Sequence, residues 1–385
     1  MTTIEPLSTE HSLNADITAM VNQIAVIGPK VPEIARRLGR HRETVRYWYK
    51  KLEANDFAIQ AIINHEALGL KRIIMKAQFG EGYRDYVKPM MFAMNELCYV
   101  TGYAKALPED VYIVHASVPS ERAQDYLDFA DSLKEQGVFK SVDSYLFDWF
   151  RNVPMKGDLY DFETGHWEFD LPSLVKKDAP FTQVQISPKV RFDRTDLLIA
   201  KELQIDATRE MQEIQQAIKE NDKVEINYKT LCWHLSEHVQ DNNLLKGYRI
   251  NWMGSRWDRK ADRARHRSHS YVVLHVFVKG PTEDEKMAII KMMNRLPIVW
   301  SEAAGTDYFA EIAVPSEMTI EALEFLQGIM SPVRDRASYH IMDQRNATGF
   351  TFSYDLFDEV SKSWTFNKEE LLTKFRMIEH QIRHV

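Results

Sequence analysis

Cysteine is nearly absent from this sequence: Cys98 and Cys232 are the only two, each in an apolar segment and neither beside a second thiol. A disulfide framework and a cysteine-based zinc site are therefore excluded, and buried structural thiols are expected. Long apolar runs are missing too. Stretches such as Tyr271 to Leu274 fall far below the roughly 18 residues of a membrane helix, so no span and no membrane partner are expected. The opening MTTIEPLSTEHSLNAD lacks the basic start and apolar centre of a secretory signal, which points to a cytoplasmic protein. Positive charge is not in excess: the net charge of −7 argues against a uniformly basic nucleic-acid coat, and leaves local clusters to be found.

The usual catalytic signatures do not occur. There is no phosphate loop, dinucleotide glycine fingerprint, His-Glu-x-x-His or nucleophile elbow. His266, His269 and His275, in RARHRSHSYVVLHV, are irregularly spaced with no carboxylate or thiol among them, which favours a basic strand edge over a metal site. The sequence thus predicts a protein that is not an enzyme and that uses no cofactor or metal.

What is present is a repeat. Val118-Pro119-Ser120-Glu121 returns as Val314-Pro315-Ser316-Glu317, and the same spacing separates Leu127 from Leu323 and Phe129 from Phe325. Asp158-Leu159-Tyr160-Asp161 followed by Trp167-x-Phe169-Asp170 returns as Asp355-Leu356-Phe357-Asp358 followed by Trp364-x-Phe366-Asn367. Aspartates at fixed distance from Trp and Phe read as a hairpin with caps, Asp170 and Asn367, for a following helix, ahead of an acid–base pair. A period this long means that a whole domain or more is duplicated, in keeping with a chain of 385 residues. Pro180 and Pro188, among polar neighbours, mark the boundary between halves.

Each half carries one order of elements. Strands over 72–79, 98–106 and 111–118, helices over 83–96 and 119–133, and a strand over 138–147 are matched by 270–279, 282–295, 298–303, 308–314, 315–329 and 334–342. The pattern is β-α-β-β-α-β twice, the split βαβ arrangement. The repeated phrase itself reads as a joint where a strand runs into a helix, with Pro in the first turn and Ser and Glu at its positive end.

Upstream of the first such domain, VPEIARRLGRHRETVRYWYKKL fits a helix-turn-helix: Ile34, Leu38, Val45 and Trp48 face inward, Ala35 allows close crossing and Gly39 makes the turn. Arg40, His41, Arg42, Thr44, Arg46, Tyr47, Lys50 and Lys51 remain on the second helix and its approach, offering donors to bases and cations to phosphates. A second unit, with helices near 196–203, 208–220 and 228–239, places Tyr228 and Lys229 at the corresponding point but has fewer cations. Arg256, Arg259, Lys260, Arg263, Arg265 and Arg267 follow as a basic arm, which either grips phosphate or pairs with acidic neighbours such as Asp258 and Asp262.

These features together resemble the leucine-responsive and asparagine-activator (Lrp/AsnC, feast/famine) regulators. The resemblance rests on DRTDLLIAKELQIDATREMQEI, LLKGYRI and AGTDYFAEIAVPSE in the second half and on EIARRLGRHRETVRYWYK in the first, and covers most of residues 14 to 345. It implies an α+β fold of two tandem units, each a winged helix-turn-helix followed by a βαββαβ ferredoxin-like (RAM or ACT-like) sandwich. The implied domains are 1–66, 67–175, 176–250 and 251–385. It further implies a nucleoid-associated transcription regulator on double-stranded DNA, a homodimer through the sandwich domains, and an amino-acid-like effector near Gly305 and Asp307. An architectural protein bridging DNA with little sequence preference is the alternative, separable by competition with random DNA.

Overall fold

A computed structural model describes residues 13–54, 57–175, 187–252 and 271–383. The first described elements are helices α1 (Leu13–Ile27), α2 (Val31–Leu38) and α3 (Arg42–Ala54). Ile34, Ala35, Val45, Trp48 and Leu52 are buried where these cross, as the apolar spacing predicts. Gly39 ends α2 in the left-handed conformation, φ 62°, which a residue without Cβ adopts at no steric cost.

Strand β1 (Ala58–Ile63) leads into the first sheet domain: β2 (Leu70–Phe79), α4 (Val87–Leu97), β3 (Val100–Leu107), β4 (Val111–Pro119), α5 (Ala123–Glu135) and β5 (Phe139–Asn152). The repeated phrase is the predicted joint, with Pro119 closing β4 and a single 3-10 turn, Ser120–Arg122, leading into α5. A short hairpin, β6 (Tyr160–Asp161) and β7 (His166–Trp167), and helix α6 (Leu171–Val175) end this half. The backbone N–H of Ser173 donates to Asp170 at 2.9 Å, so Asp170 is the cap that its position suggests.

The second half repeats the plan. Helices α7 (Arg194–Ile205), α8 (Met211–Asn221) and α9 (Tyr228–Trp233) come first, and α9 continues as a π-helical stretch, His234–Gln240. Strand β8 (Leu245–Asn251) follows, then β9 (Tyr271–Val278), α10 (Glu283–Met293), β10 (Val299–Gly305), β11 (Tyr308–Pro315), α11 (Thr319–Ile329) and β12 (Ala337–Gly349). The hairpin β13 (Phe357–Asp358) and β14 (Ser363–Trp364) precedes α12 (Lys368–Arg383), capped by Asn367.

How the halves join is a matter of strand edges. Within each half the sheet orders are β3-β4-β2-β5 and β10-β11-β9-β12; β5 then pairs with β10 and β12 with β3, closing one eight-stranded barrel. The sheet pairing that the resemblance assigns to a homodimer is thus made inside a single chain, and closure leaves no open edge in these sheets. Gly305 lies in this seam. A Cβ there would sit 2.9 Å from the Leu146 carbonyl oxygen, so only glycine lets β10 approach β5 so closely.

The strands next to the helical units exchange partners as well. β1 pairs with β8, from Ala58 opposite Asn251 to Ile63 opposite Leu245. Helix α1 packs on β8 and α7 on β1, so each helical unit leans on the other half's strand. The hairpins tie the halves in the same way: Trp364 donates its indole N–H to the Leu68 carbonyl at 2.7 Å and stacks against Phe192 and Phe357. Trp364→Phe leaves that buried carbonyl unpaired, and we expect it to lower unfolding free energy by about 2 kcal/mol in denaturant titrations. A change within error would show that the bond is dispensable. Among the described residues no helix is long and apolar enough to cross a membrane.

Candidate active site

Alternation along the barrel strands sends one face of each to the helices and the other to the lumen. On β2, Ile73, Met75 and Ala77 join the core under the helices, while Ile74 faces inward with Ile113, Phe147, Val273, Phe277 and Phe309. Arg72 shares the inward face of β2, His115 that of β4, His275 that of β9 and Glu311 that of β11. The lumen therefore turns polar towards one mouth, which the β1–β8 ribbon overhangs with His65, Arg249 and Asn251. Together these residues line a cleft with Phe150, Trp300 and Gln204. Its cavity volume is about 160 Å³. That volume is on the scale of a cavity that takes one benzene ring, so a larger flat molecule must extend out of the cleft.

Arg72 anchors the electrostatics. Its Nη1 donates to Thr101 Oγ1 at 2.6 Å, its Nη2 lies 3.4 Å from His65 Nε2, and the guanidinium sits 4.3 Å over the ring of Phe150. Burial pushes its pKa down to about 10, which leaves it charged at neutral pH. His65 is held well below the ordinary histidine range, by burial first and then by the charges of Arg72 and Lys246. His65 is therefore a neutral imidazole, and Arg72 carries the positive charge at the cleft's floor, with the carboxylates of Glu66 and Glu311 acting on it.

Glu311 and His275 stand on neighbouring strands, with His275 Nε2 3.7 Å from Glu311 Oε1. Ser301 Oγ donates to the other oxygen of Glu311 at 3.2 Å, and His115 lies edge-on to His275 at 5.6 Å between ring centroids. A carboxylate beside one ring nitrogen selects the tautomer and presents the other nitrogen for proton transfer. Arg249 lies 4.7 Å over Trp300 and donates to Gln60 Oε1 at 3.1 Å. Three buried polar atoms of the cleft have no hydrogen-bond partner: His65 Nδ1, Arg72 Nε and His275 Nδ1. Orphaned buried groups are costly, and several converging on one cleft mark a place where a ligand completes the bonding.

The residues singled out in the sequence lie elsewhere. His41, Arg42, Arg46, Tyr47 and Lys50 are exposed along α3 and its start, while Thr44 and Lys51 are half-buried. Arg46 is paired with Glu43, Lys51 rests 5.7 Å over Tyr47, and Arg40 is tied to Asp16 at 2.9 Å. Tyr228 and Lys229 are exposed at the start of α9. Arg256, Arg259, Lys260, Arg263, Arg265 and Arg267 fall outside the described residues, as do His266 and His269. Gly305 accepts from Lys286 Nζ at 2.6 Å through its carbonyl, and Asp307 accepts from the Gly280 N–H at 2.9 Å, which places both in the seam and turn of the barrel. His275 appears in the sequence only as a doubtful metal ligand, and Arg72, His65, His115 and Glu311 draw no notice there. The signal of His115, His275 and Glu311 was a single ionisable residue on one face of an otherwise apolar strand.

No protein-family model matches the chain, and no curated protein does. Among solved structures, the siroheme decarboxylase NirDL superposes with a TM-score of 0.52 at 11% identity, over 94% of this chain and 99% of that one. The same enzyme in complex with an iron-uroporphyrin III analogue scores 0.51 at 11% identity, over 93% and 99%. The chain shares that architecture over nearly its whole length. AsnC of E. coli aligns over 35% of this chain and 91% of its own, at 13% identity and a TM-score of 0.28. The expectation of a protein without catalytic function is corrected here: the architecture matched over nearly the whole length is that of an enzyme.

Proposed function

We propose that this protein is an enzyme that binds a large, flat, polycarboxylate substrate of the tetrapyrrole class across the barrel mouth and releases CO2 from one of its acidic arms. The observation that carries this reading is the convergence of His65 Nδ1, Arg72 Nε and His275 Nδ1, all buried and without partners, on one cleft. The shared architecture with a siroheme decarboxylase supports the substrate class.

The division of labour follows from charge. A carboxylate gripped by a guanidinium is stabilised in its ground state and loses CO2 reluctantly, so Arg72 and His65 suit an anchoring carboxylate that does not react. The reacting arm belongs further along, where Trp300 and Val273 strip water from it. As its C–C bond breaks, CO2 leaves and the electron pair stays on the substrate carbon. That carbon takes a proton from His275, and Glu311 stabilises the imidazolium before transfer. The net change is one carboxylate and one proton exchanged for one C–H bond and one CO2.

Incubating the full chain with siroheme and with uroporphyrin III tests the reading. A shift of the tetrapyrrole absorption band on binding, and products lighter by CO2 in mass spectra, are expected. If neither compound binds or changes, the reading fails.

A second reading rests on the exposed face of α3, where Arg42, Arg46, Tyr47 and Lys50 stand in positions suited to the major groove. On this reading the first helical unit binds duplex DNA, either as a sequence-specific regulator or as an architectural protein. Arg42→Ala and Arg46→Ala should each weaken binding by about 1 to 3 kcal/mol where they touch bases. Affinity should also fall steeply with salt. Identical, salt-insensitive affinities for wild type and both variants in gel-shift titrations would remove this reading and leave the enzymatic one standing.

A further inference from the structure

Among the described residues, one group of metal-ligating side chains converges: Asp193, Asp196, His234 and His238, each offering an atom within 4.8 Å of all the others. None of them lines the cleft. Asp193 and Asp196 open α7 as a reciprocal capping pair, and the two histidines come from the π-helical stretch after α9. His234 Nδ1 lies 2.7 Å from one Asp196 oxygen, His238 Nδ1 lies 3.2 Å from the other, and Asp193 Oδ1 is 3.7 Å from His234 Nδ1. Ligand atoms around a tetrahedral zinc stand about 3.4 Å apart, so small rotations of the rings bring these four to coordinating positions.

The charge balance at the cluster favours a cation. Asp196 is fully buried, with His234 and His238 against its two oxygens. Two carboxylates face two imidazoles there, and imidazole carries charge only when protonated. Of the nearby cationic side chains, Arg194 pairs with Asp355, and Lys362 pairs with Glu359 while its charge also reaches Asp193. The first helical unit meets the same need differently: the aspartate in the first turn of α1, Asp16, is neutralised by Arg40. The second unit has no arginine in that role and has two histidines and a second aspartate instead. Trp233 closes one side, its ring 4.5 Å from that of His238 and 4.9 Å from that of His234.

We propose that Asp193, Asp196, His234 and His238 bind one divalent ion of the zinc class, which clasps the start of α7 to the helix that ends the second helical unit. Two imidazoles with hard carboxylates suit zinc, and cobalt(II) as its spectroscopic substitute. The clasp is structural, and independent of the cleft.

The test uses the full chain, stripped with a chelator and titrated with zinc against a colorimetric competitor. One equivalent should bind, raise the melting temperature, and with cobalt(II) give the intense visible bands of a tetrahedral site. His238→Ala, at a half-buried ligand and so the variant best placed to fold, should weaken zinc binding by more than about a hundredfold, beyond the effect of losing an outer hydrogen-bond partner. His234→Ala/His238→Ala should abolish both binding and the melting shift. His266→Ala/His269→Ala should leave both unchanged. Absence of zinc binding, unaltered binding in His238→Ala, or loss of binding in His266→Ala/His269→Ala overturns the proposal.

Discussion

Arg72→Gln is expected to weaken binding of a polycarboxylate tetrapyrrole by about a hundredfold to a thousandfold, read as the dissociation constant in an absorbance titration. Glutamine keeps an amide donor and much of the length, so the variant removes charge and the paired N–H geometry rather than volume. The size of the effect comes from the surroundings. Arg72 lies in a low-dielectric cleft over Phe150, where a carboxylate has little water to compensate it. Stability should move the other way. Burial opposes the charge on Arg72, so its removal should leave the melting temperature unchanged or raised, which separates lost binding from misfolding. Binding should also depend on pH. An arriving carboxylate raises the pKa of the neutral His65, so binding takes up a proton and affinity grows as pH falls through the His65 pKa of the complex. Wild-type affinity in Arg72→Gln would eliminate the anchoring role.

His275→Gln carries the other large effect. It should lower the rate of CO2 release by about a hundredfold to ten-thousandfold, a larger effect than on the dissociation constant, because a general acid acts only as the proton moves. Glutamine fills much the same space, so the packing against Phe309, whose ring centroid lies 5.2 Å from that of His275, should be largely retained. Glu311→Gln should give a smaller loss, since it removes the group that orients the imidazole and not the proton donor. Single-turnover rates with bound substrate would measure both. Equal rates in His275→Gln and wild type would move proton donation to another group, His115 being the neighbour in reach.

Much of the fold is legible along the chain because its signals are local. Gly39, the spacing of Ile34, Val45 and Trp48, and the Pro119 and Pro315 joints each act within a few residues, and each stands where the pattern places it. The Asp170 and Asn367 caps do too. The candidate site was not legible in this way. Arg72, His115, His275 and Glu311 are separated by long stretches of sequence and meet only because β2, β4, β9 and β11 enclose the same lumen. Alternation shows that Arg72 and Ile74 share a face, but not that this face looks into a closed barrel. The exposed cations of α3 drew attention to DNA because charge on a helix surface is visible in sequence, whereas a buried charge looks like an irregularity in a strand.

The sequence by itself determined the duplication, the order of helices and strands in each half, and the residues that turn and cap them. Those depend on backbone sterics and on hydrophobic period, which act over one or two turns of chain. The tertiary structure alone decided that β5 meets β10 and β12 meets β3, that the β1–β8 ribbon overhangs one mouth, and that the site is made by both halves together. Strand edges present the same N–H and C=O groups whatever their side chains, so the choice of partner is settled by which faces can be buried at once.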